Sequence, residues 1–331
     1  MELLFCVLPV VLFLFFLYLL DSFKLVLKNY LFFCLLWGLI SAGLAYFFNS
    51  FLLEQFTVSF KTISLYVAPF IEEIVKSLFI LVLIHKKRIG FMIDAAVYGF
   101  AIGTGFSLVE NIFYFKEMGD YNLIVWIVRG FGTAFMHGGC TALFAVILIG
   151  GKSRNVATFT SIFFSILAAY FIHSTFNQFY IQPIFQTIGI ILIFPAVFIL
   201  IFRYNESQLQ NWLEIEFNSE IELLNMINKG QFLSTRSGEY LASLKSRFSG
   251  EMIFDMFCYI RIYLELSIKA KRNVLLKESG FPAMIEDDLD SKFNELLYLK
   301  KQIGKVGELT LSPLIRMNYR DLWKLNTLKK N

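Results

Sequence analysis

Apolar residues in this chain fall into long continuous blocks separated by short polar ones. They do not alternate singly as they would in a half-buried sheet. Seven blocks occupy approximately residues 3–20, 30–48, 64–84, 92–115, 123–149, 156–178 and 184–202. A helix of roughly 20 residues crosses the ~30 Å hydrocarbon core of a bilayer. Beyond Arg203 the pattern changes. Leu209, Trp212, Leu213, Ile215 and Phe217 recur at three- and four-residue spacing, and the same period returns from Met252 to Ile268. That is the signature of amphipathic helices. Gly230, Gly250, Gly280 with Pro282, and Pro313 divide the region into four or five of them. The expected architecture is all-α: a polytopic membrane bundle of about seven transmembrane helices over 1–203, then a cytoplasmic helical domain over 204–331.

Composition agrees with a membrane protein, since 57% of the 331 residues are hydrophobic and 39 are Phe. Charge is divided unevenly. Residues 1–202 carry 11 Lys/Arg and 9 Asp/Glu, whereas 203–331 carry 19 and 17. Lys24, Lys28, Lys86, Lys87, Arg88, Lys152 and Arg154 sit in one set of alternate loops, and only Lys61 and Lys116 sit in the other. The positive-inside rule then places the N-terminus outside and the C-terminal region in the cytoplasm. The tail mixes both signs without a basic stripe, which argues against nucleic acid as a partner. Cys6, Cys34, Cys140 and Cys258 show no CxxC spacing and read as packing residues. The first block follows Glu2, has no basic flank and lacks a small-residue cleavage site. It is expected to be a retained helix and not a signal peptide.

The third block is interrupted by Glu72, Glu73 and Lys76 within about one helical turn. Both acids stand at helical contact distance from Lys76 in sequence. Charges at bilayer depth are costly, so they face a polar interior and mark function by default. A structural ion pair is the plain alternative. Two acids against one base leave a carboxylate incompletely compensated and suited to act as a general base. Other polar residues interrupt later blocks: Glu110-Asn111 in the fourth, Arg129 and His137 in the fifth, His173 and Asn177 in the sixth. His173 and Asn177 share one helical face, as a pair of oxyanion donors would. Asp94 reads as a helix N-terminal residue, and His85 as an interface residue beside three basic neighbours. Counted along their blocks, the buried polar groups all lie between the midplane and the outer face. They are therefore expected to form one cavity open to the extracytoplasmic side.

The set Glu72-Glu73-x-x-Lys76, Phe106-x-x-x-Glu110-Asn111, His137 after Arg129, and His173-x-x-x-Asn177 resembles the four-motif pattern of the PrsW family of intramembrane proteases. That family is a branch of the group containing the CAAX prenyl proteases and bacteriocin-immunity membrane proteins. The resemblance covers about residues 65–180 and leaves the tail unassigned. It implies an integral protein of a bacterial cytoplasmic membrane that cuts a membrane-anchored protein near the outer face. The family's founder makes the first cut in an anti-sigma factor. In the CAAX branch the first motif and a second-motif His activate water, and the last motif's His and Asn form the oxyanion hole. Here Glu110 stands where that branch has His.

The expected chemistry is peptide-bond hydrolysis by glutamate-activated water. Glu72 or Glu73 is the base, with Lys76 beside it. Glu110 places the water, His173 and Asn177 stabilise the oxyanion, and His137, Asn111 and Arg129 support the site. No cofactor is required by this reading. There is no HExxH, but a divalent metal such as zinc on Glu73, Glu110, His137 and His173 is the open alternative. A proton relay or transporter and a non-catalytic immunity-type protein are the rivals from other classes.

Overall fold

The computed structural model describes residues 2–21, 24–56, 59–118, 123–211, 213, 217–284, 288–315, 325 and 328. Trp212 and Ile215, which help define the amphipathic period after Arg203, lie outside them. No strand occurs among the described residues. Close contacts group the chain into two units, Met1–Asn205 and Glu206–Asn331.

The first unit is a helical membrane bundle. Its helices are α1 (Glu2–Leu19), α2 (Lys28–Gln55), α3 (60–85), α4 (Met92–Met118), α5 (Leu123–Ser153), α6 (Thr158–Asn177) and α7 (Pro183–Asn211). Among the described residues, α2, α4, α5, α6 and α7 are long and apolar enough to cross a membrane. The other two expected blocks are also helical. Helix α1 is 18 residues long with Pro9 inside it, and α3 carries the three charges. Helices α4 and α5 form the centre, with 83% of their most apolar windows buried. The corresponding figures are 28% in α2 and 22% in α7, which turn Phe32, Phe47, Leu192 and Leu200 outward. An apolar exterior is what a lipid-facing helix requires.

Small residues set how closely the centre packs. A Cβ at Gly103 of α4 would overlap the carbonyl of His137 in α5, and one at Gly99 would strike Thr141 and Ala142. Only glycine permits this backbone contact, so the α4–α5 approach, and with it the place of His137, depends on those two positions.

Helix α3 begins at a Ser59 cap, whose hydroxyl accepts from the Thr62 N–H at 3.1 Å. It widens to a π turn over Ile63–Val67 and continues as an α-helix over Ala68–His85. Pro69 accounts for the irregularity. It has no N–H for the carbonyl four or five residues earlier, and its ring crowds the preceding turn. The two orphaned carbonyls are those of Leu65 and Ser64. Helix α6 serves both: the Ser174 hydroxyl donates to Leu65 at 2.7 Å, and the Asn177 amide donates to Ser64 at 3.4 Å. A second π turn, Val128–Thr133, interrupts α5. At the start of α4, Asp94 accepts from the N–H groups of Gly90, Phe91 and Ala95 at 2.8–3.0 Å. That is the helix-initiating role expected from its position.

The second unit contains α8 (Phe217–Asn228), α9 (Arg236–Ser243), α10 (Gly250–Glu278) and α11 (Leu289–Leu311). Among the described residues, four α-helices with breaks at Gly230, Gly250, Gly280 and past Leu311 agree with the punctuation read from the sequence. Gly230 and Gly280 take positive φ, and the residue after each bonds back across the helix end, Gln231 to Met226 and Phe281 to Leu276. Gly304 adds a break inside α11 that its neighbours do not signal. The core centres on Tyr259, Ile260, Tyr263 and Leu266 of α10. Lys271 is fully buried there and pairs with Glu220 at 3.2 Å.

Candidate active site

Four helices bring the polar residues of the membrane unit together. Glu72 and Glu73 lie at the middle of α3, Glu110 in the second half of α4, His137 in mid-α5, and His173 near the end of α6. The group therefore extends from the middle of the bundle towards the end where α3 begins and α4 and α6 finish.

Glu73 is the innermost acid, 2% exposed. Its Oε1 accepts from Lys76 Nζ at 2.6 Å and from His173 Nδ1 at 2.8 Å. Lys76 is wholly buried and also contacts His137 Nδ1 at 3.2 Å. An ammonium can only donate, so His137 Nδ1 accepts and its Nε2 carries the hydrogen. That hydrogen is directed at Glu110 Oε2, 2.8 Å away. The Phe106 ring covers the Lys76 ammonium at 4.8 Å. The His137 and His173 rings meet edge to face with centroids 4.7 Å apart.

Glu72 faces another way from Glu73. Its Oε2 lies 3.7 Å from His173 Nε2, and its side chain is 16% exposed. Glu72, His137 and His173 each offer a ligand atom, and these atoms lie within 4.8 Å of one another. Two imidazoles and a carboxylate with an open position form the donor set of a catalytic zinc centre. The surroundings fit as well. A hydrogen bond from His173 Nδ1 to Glu73 fixes that ring with Nε2 free, the usual arrangement behind a metal-binding His. On His137 the Nε2 hydrogen now goes to Glu110, so ligation there requires that hydrogen to leave.

Glu110 is the most exposed acid of the group, at 26%. Beyond His137 it is held by Arg129 Nη2 at 3.3 Å. Arg129 lies on the α5 π turn. Its Nε donates to Asn111 Oδ1 at 3.1 Å, and its guanidinium lies 3.7 Å from the centre of the Tyr114 ring. Asn111 Nδ2 in turn donates to the Cys6 carbonyl of α1 at 3.2 Å.

Glu72, Glu73, Lys76, Glu110, Asn111, Arg129, His137 and His173 thus form one connected group. Asn177 does not join it. Its amide is directed at the Ser64 carbonyl in the α3 π turn and not toward the imidazoles. Two contributors lie beyond the sequence reading. Tyr114 falls one turn after Glu110 and was legible as an aromatic neighbour on that face. Ser174 was legible only through the carbonyl that Pro69 must leave open.

A family model for PrsW family intramembrane metalloproteases matches residues 28–202. The match covers every helix that carries a member of this group and does not include the second unit. No curated protein and no solved structure matches.

Proposed function

Because this chain belongs to the PrsW family of intramembrane metalloproteases, we propose that it hydrolyses a peptide bond in a membrane-anchored protein by metal-assisted attack of water. Glu72, His137 and His173 would hold a divalent cation, zinc by their chemistry. The convergence of those three ligand atoms within 4.8 Å carries the reading. Such a cation supplies Lewis-acid polarisation and makes water acidic near neutral pH.

The remaining roles follow from contacts. Glu73 takes the Nδ1 hydrogen of His173 and so orients the ring. Lys76 neutralises Glu73 at 2.6 Å, and both side chains are buried. Glu110 is the most exposed acid of the group and is left outside the ligand set, which suits it to be the general base. Water oxygen adds to the scissile carbonyl carbon as Glu110 takes the water proton. Glu110 then delivers that proton to the amide nitrogen as the C–N bond breaks. This assignment moves the base from Glu72 or Glu73 to Glu110, because Glu73 is sealed behind two donors and Glu72 faces His173.

The positive-inside bias favours an extracytoplasmic side for the start of α3 and the ends of α4 and α6, which supports cleavage close to that face. A regulatory protein with one membrane span, such as an anti-sigma factor, is the substrate class proposed.

The test uses the full chain in proteoliposomes with a tethered reporter peptide. Cleavage should disappear after chelation, return with zinc, and be absent in His137→Ala and His173→Ala, which should also retain less metal. Undiminished cleavage by metal-free protein would instead establish glutamate catalysis without metal. Ion-gradient-dependent uptake without cleavage would establish a transporter.

A further inference from the structure

The reading above leaves the developing oxyanion without a protein donor. The pair expected from the sequence does not supply one. His173 uses Nδ1 on Glu73 and presents Nε2 to Glu72, and Asn177 directs its amide at the Ser64 carbonyl, away from the imidazoles. Lys76 is wholly buried behind Glu73 and His137. Among the described members of the group, three side chains are more than a tenth exposed: Glu72, Glu110 and Arg129. Of these only Arg129 carries hydrogen-bond donors.

Its setting is that of a preorganised donor. Asn111 fixes Nε, the Tyr114 ring supports the flat face, and Asn111 is itself anchored to the α1 backbone. The π turn over Val128–Thr133 displaces Arg129 from the regular α5 register, and such turns recur at functional sites. Arg129 Nη2 is buried and makes no hydrogen bond, although Glu110 Oε1 lies 3.3 Å away. The same carboxylate bridges to His137 at 2.8 Å. One carboxylate thus separates the guanidinium from an imidazole of the triad, and its oxygen marks a place where an anionic oxygen is already accommodated.

We infer that Arg129, through Nη2, donates to the carbonyl oxygen of the scissile peptide as it becomes the oxyanion. This rests on the hydrolytic reading above. No proton leaves the guanidinium during the step. It stabilises the negative oxygen that forms when water adds and is released when the C–N bond breaks. A plain structural alternative is that Arg129 only pairs with Glu110.

The experiment compares Arg129→Ala and Arg129→Lys with the wild type in proteoliposomes. It follows single-turnover cleavage, reporter-peptide binding and zinc content separately. Loss of an oxyanion donor costs about 10²–10³ in rate. Arg129→Ala should show that loss with zinc content and peptide binding retained. Free guanidinium should restore part of the rate, and Arg129→Lys should be intermediate. In a Glu110→Gln background, Arg129→Ala should still lower the residual rate. A wild-type rate in Arg129→Ala would overturn the inference. So would a loss matched by lost zinc, or one that vanishes in the Glu110→Gln background. If Arg129→Ala does not insert, Arg129→Lys with the same three readouts decides. Zinc-independent cleavage by the wild type would refute the metal reading, whereas zinc-dependent cleavage untouched by Arg129→Ala refutes only this inference.

Discussion

Glu73→Gln separates an acid that positions a ligand from an acid that performs the chemistry. Gln keeps the volume and the carbonyl oxygen that accepts from Lys76 and His173, at 2.6 and 2.8 Å in the parent. It removes the charge. Lys76 is wholly buried, and Glu73 is its ion-pair partner. Breaking such a pair by truncation costs about 3–5 kcal/mol. Retention of the accepting oxygen places Glu73→Gln at about 3 kcal/mol, the low end of that range. The variant should insert but melt earlier in detergent. His173 also loses the charged partner that makes its Nε2 a strong ligand. Removing a partner of that kind lowers metal affinity about 10–100-fold, which is about 1.4–2.7 kcal/mol. Chelator competition on purified protein measures the affinity, and single-turnover cleavage at saturating zinc measures the chemistry. The expected result is weaker zinc binding with most of the cleavage rate recovered at saturation. Unchanged zinc affinity with cleavage abolished at every zinc concentration would show that Glu73 is the base, and the assignment to Glu110 would fall.

Gly103→Ala puts a methyl group onto the His137 carbonyl. It should lower thermal stability by about 1–3 kcal/mol, as overpacking does, and reduce zinc retention through displacement of His137. A melting temperature and metal content equal to wild type would contradict the close α4–α5 contact. Orientation is checked by fusing a reporter after Asn331, expected to be active only in the cytoplasm, and another at Gly119, expected only outside. Both positions lie outside the described residues, so the expectation rests on the Lys/Arg asymmetry alone. An externally labelled C-terminus would move the proposed cleavage to the other face.

The sequence by itself determined the helical class, because apolar blocks of membrane length and a three-to-four period admit no sheet. It also determined which residues deserved suspicion, because Glu72, Glu73, Lys76, Glu110, His137 and His173 interrupt apolar helices where charge and polarity are costly. Helix periodicity put Lys76 within reach of either acid. It did not decide which acid Lys76 meets, since side chains three and four residues apart are both neighbours. The structure directs Lys76 to Glu73 and leaves Glu72 to face His173. Likewise, the spacing of His173 and Asn177 put them on one face of α6 but did not reveal what that face meets. Pro69, a hundred residues away, leaves carbonyls open at Ser64 and Leu65, and α6 uses Asn177 and Ser174 to fill them. Rotation of a helix about its axis and the demands of a neighbouring backbone are properties of packing. A linear pattern shows which groups share a helix face, but only the assembled bundle decides what stands opposite them.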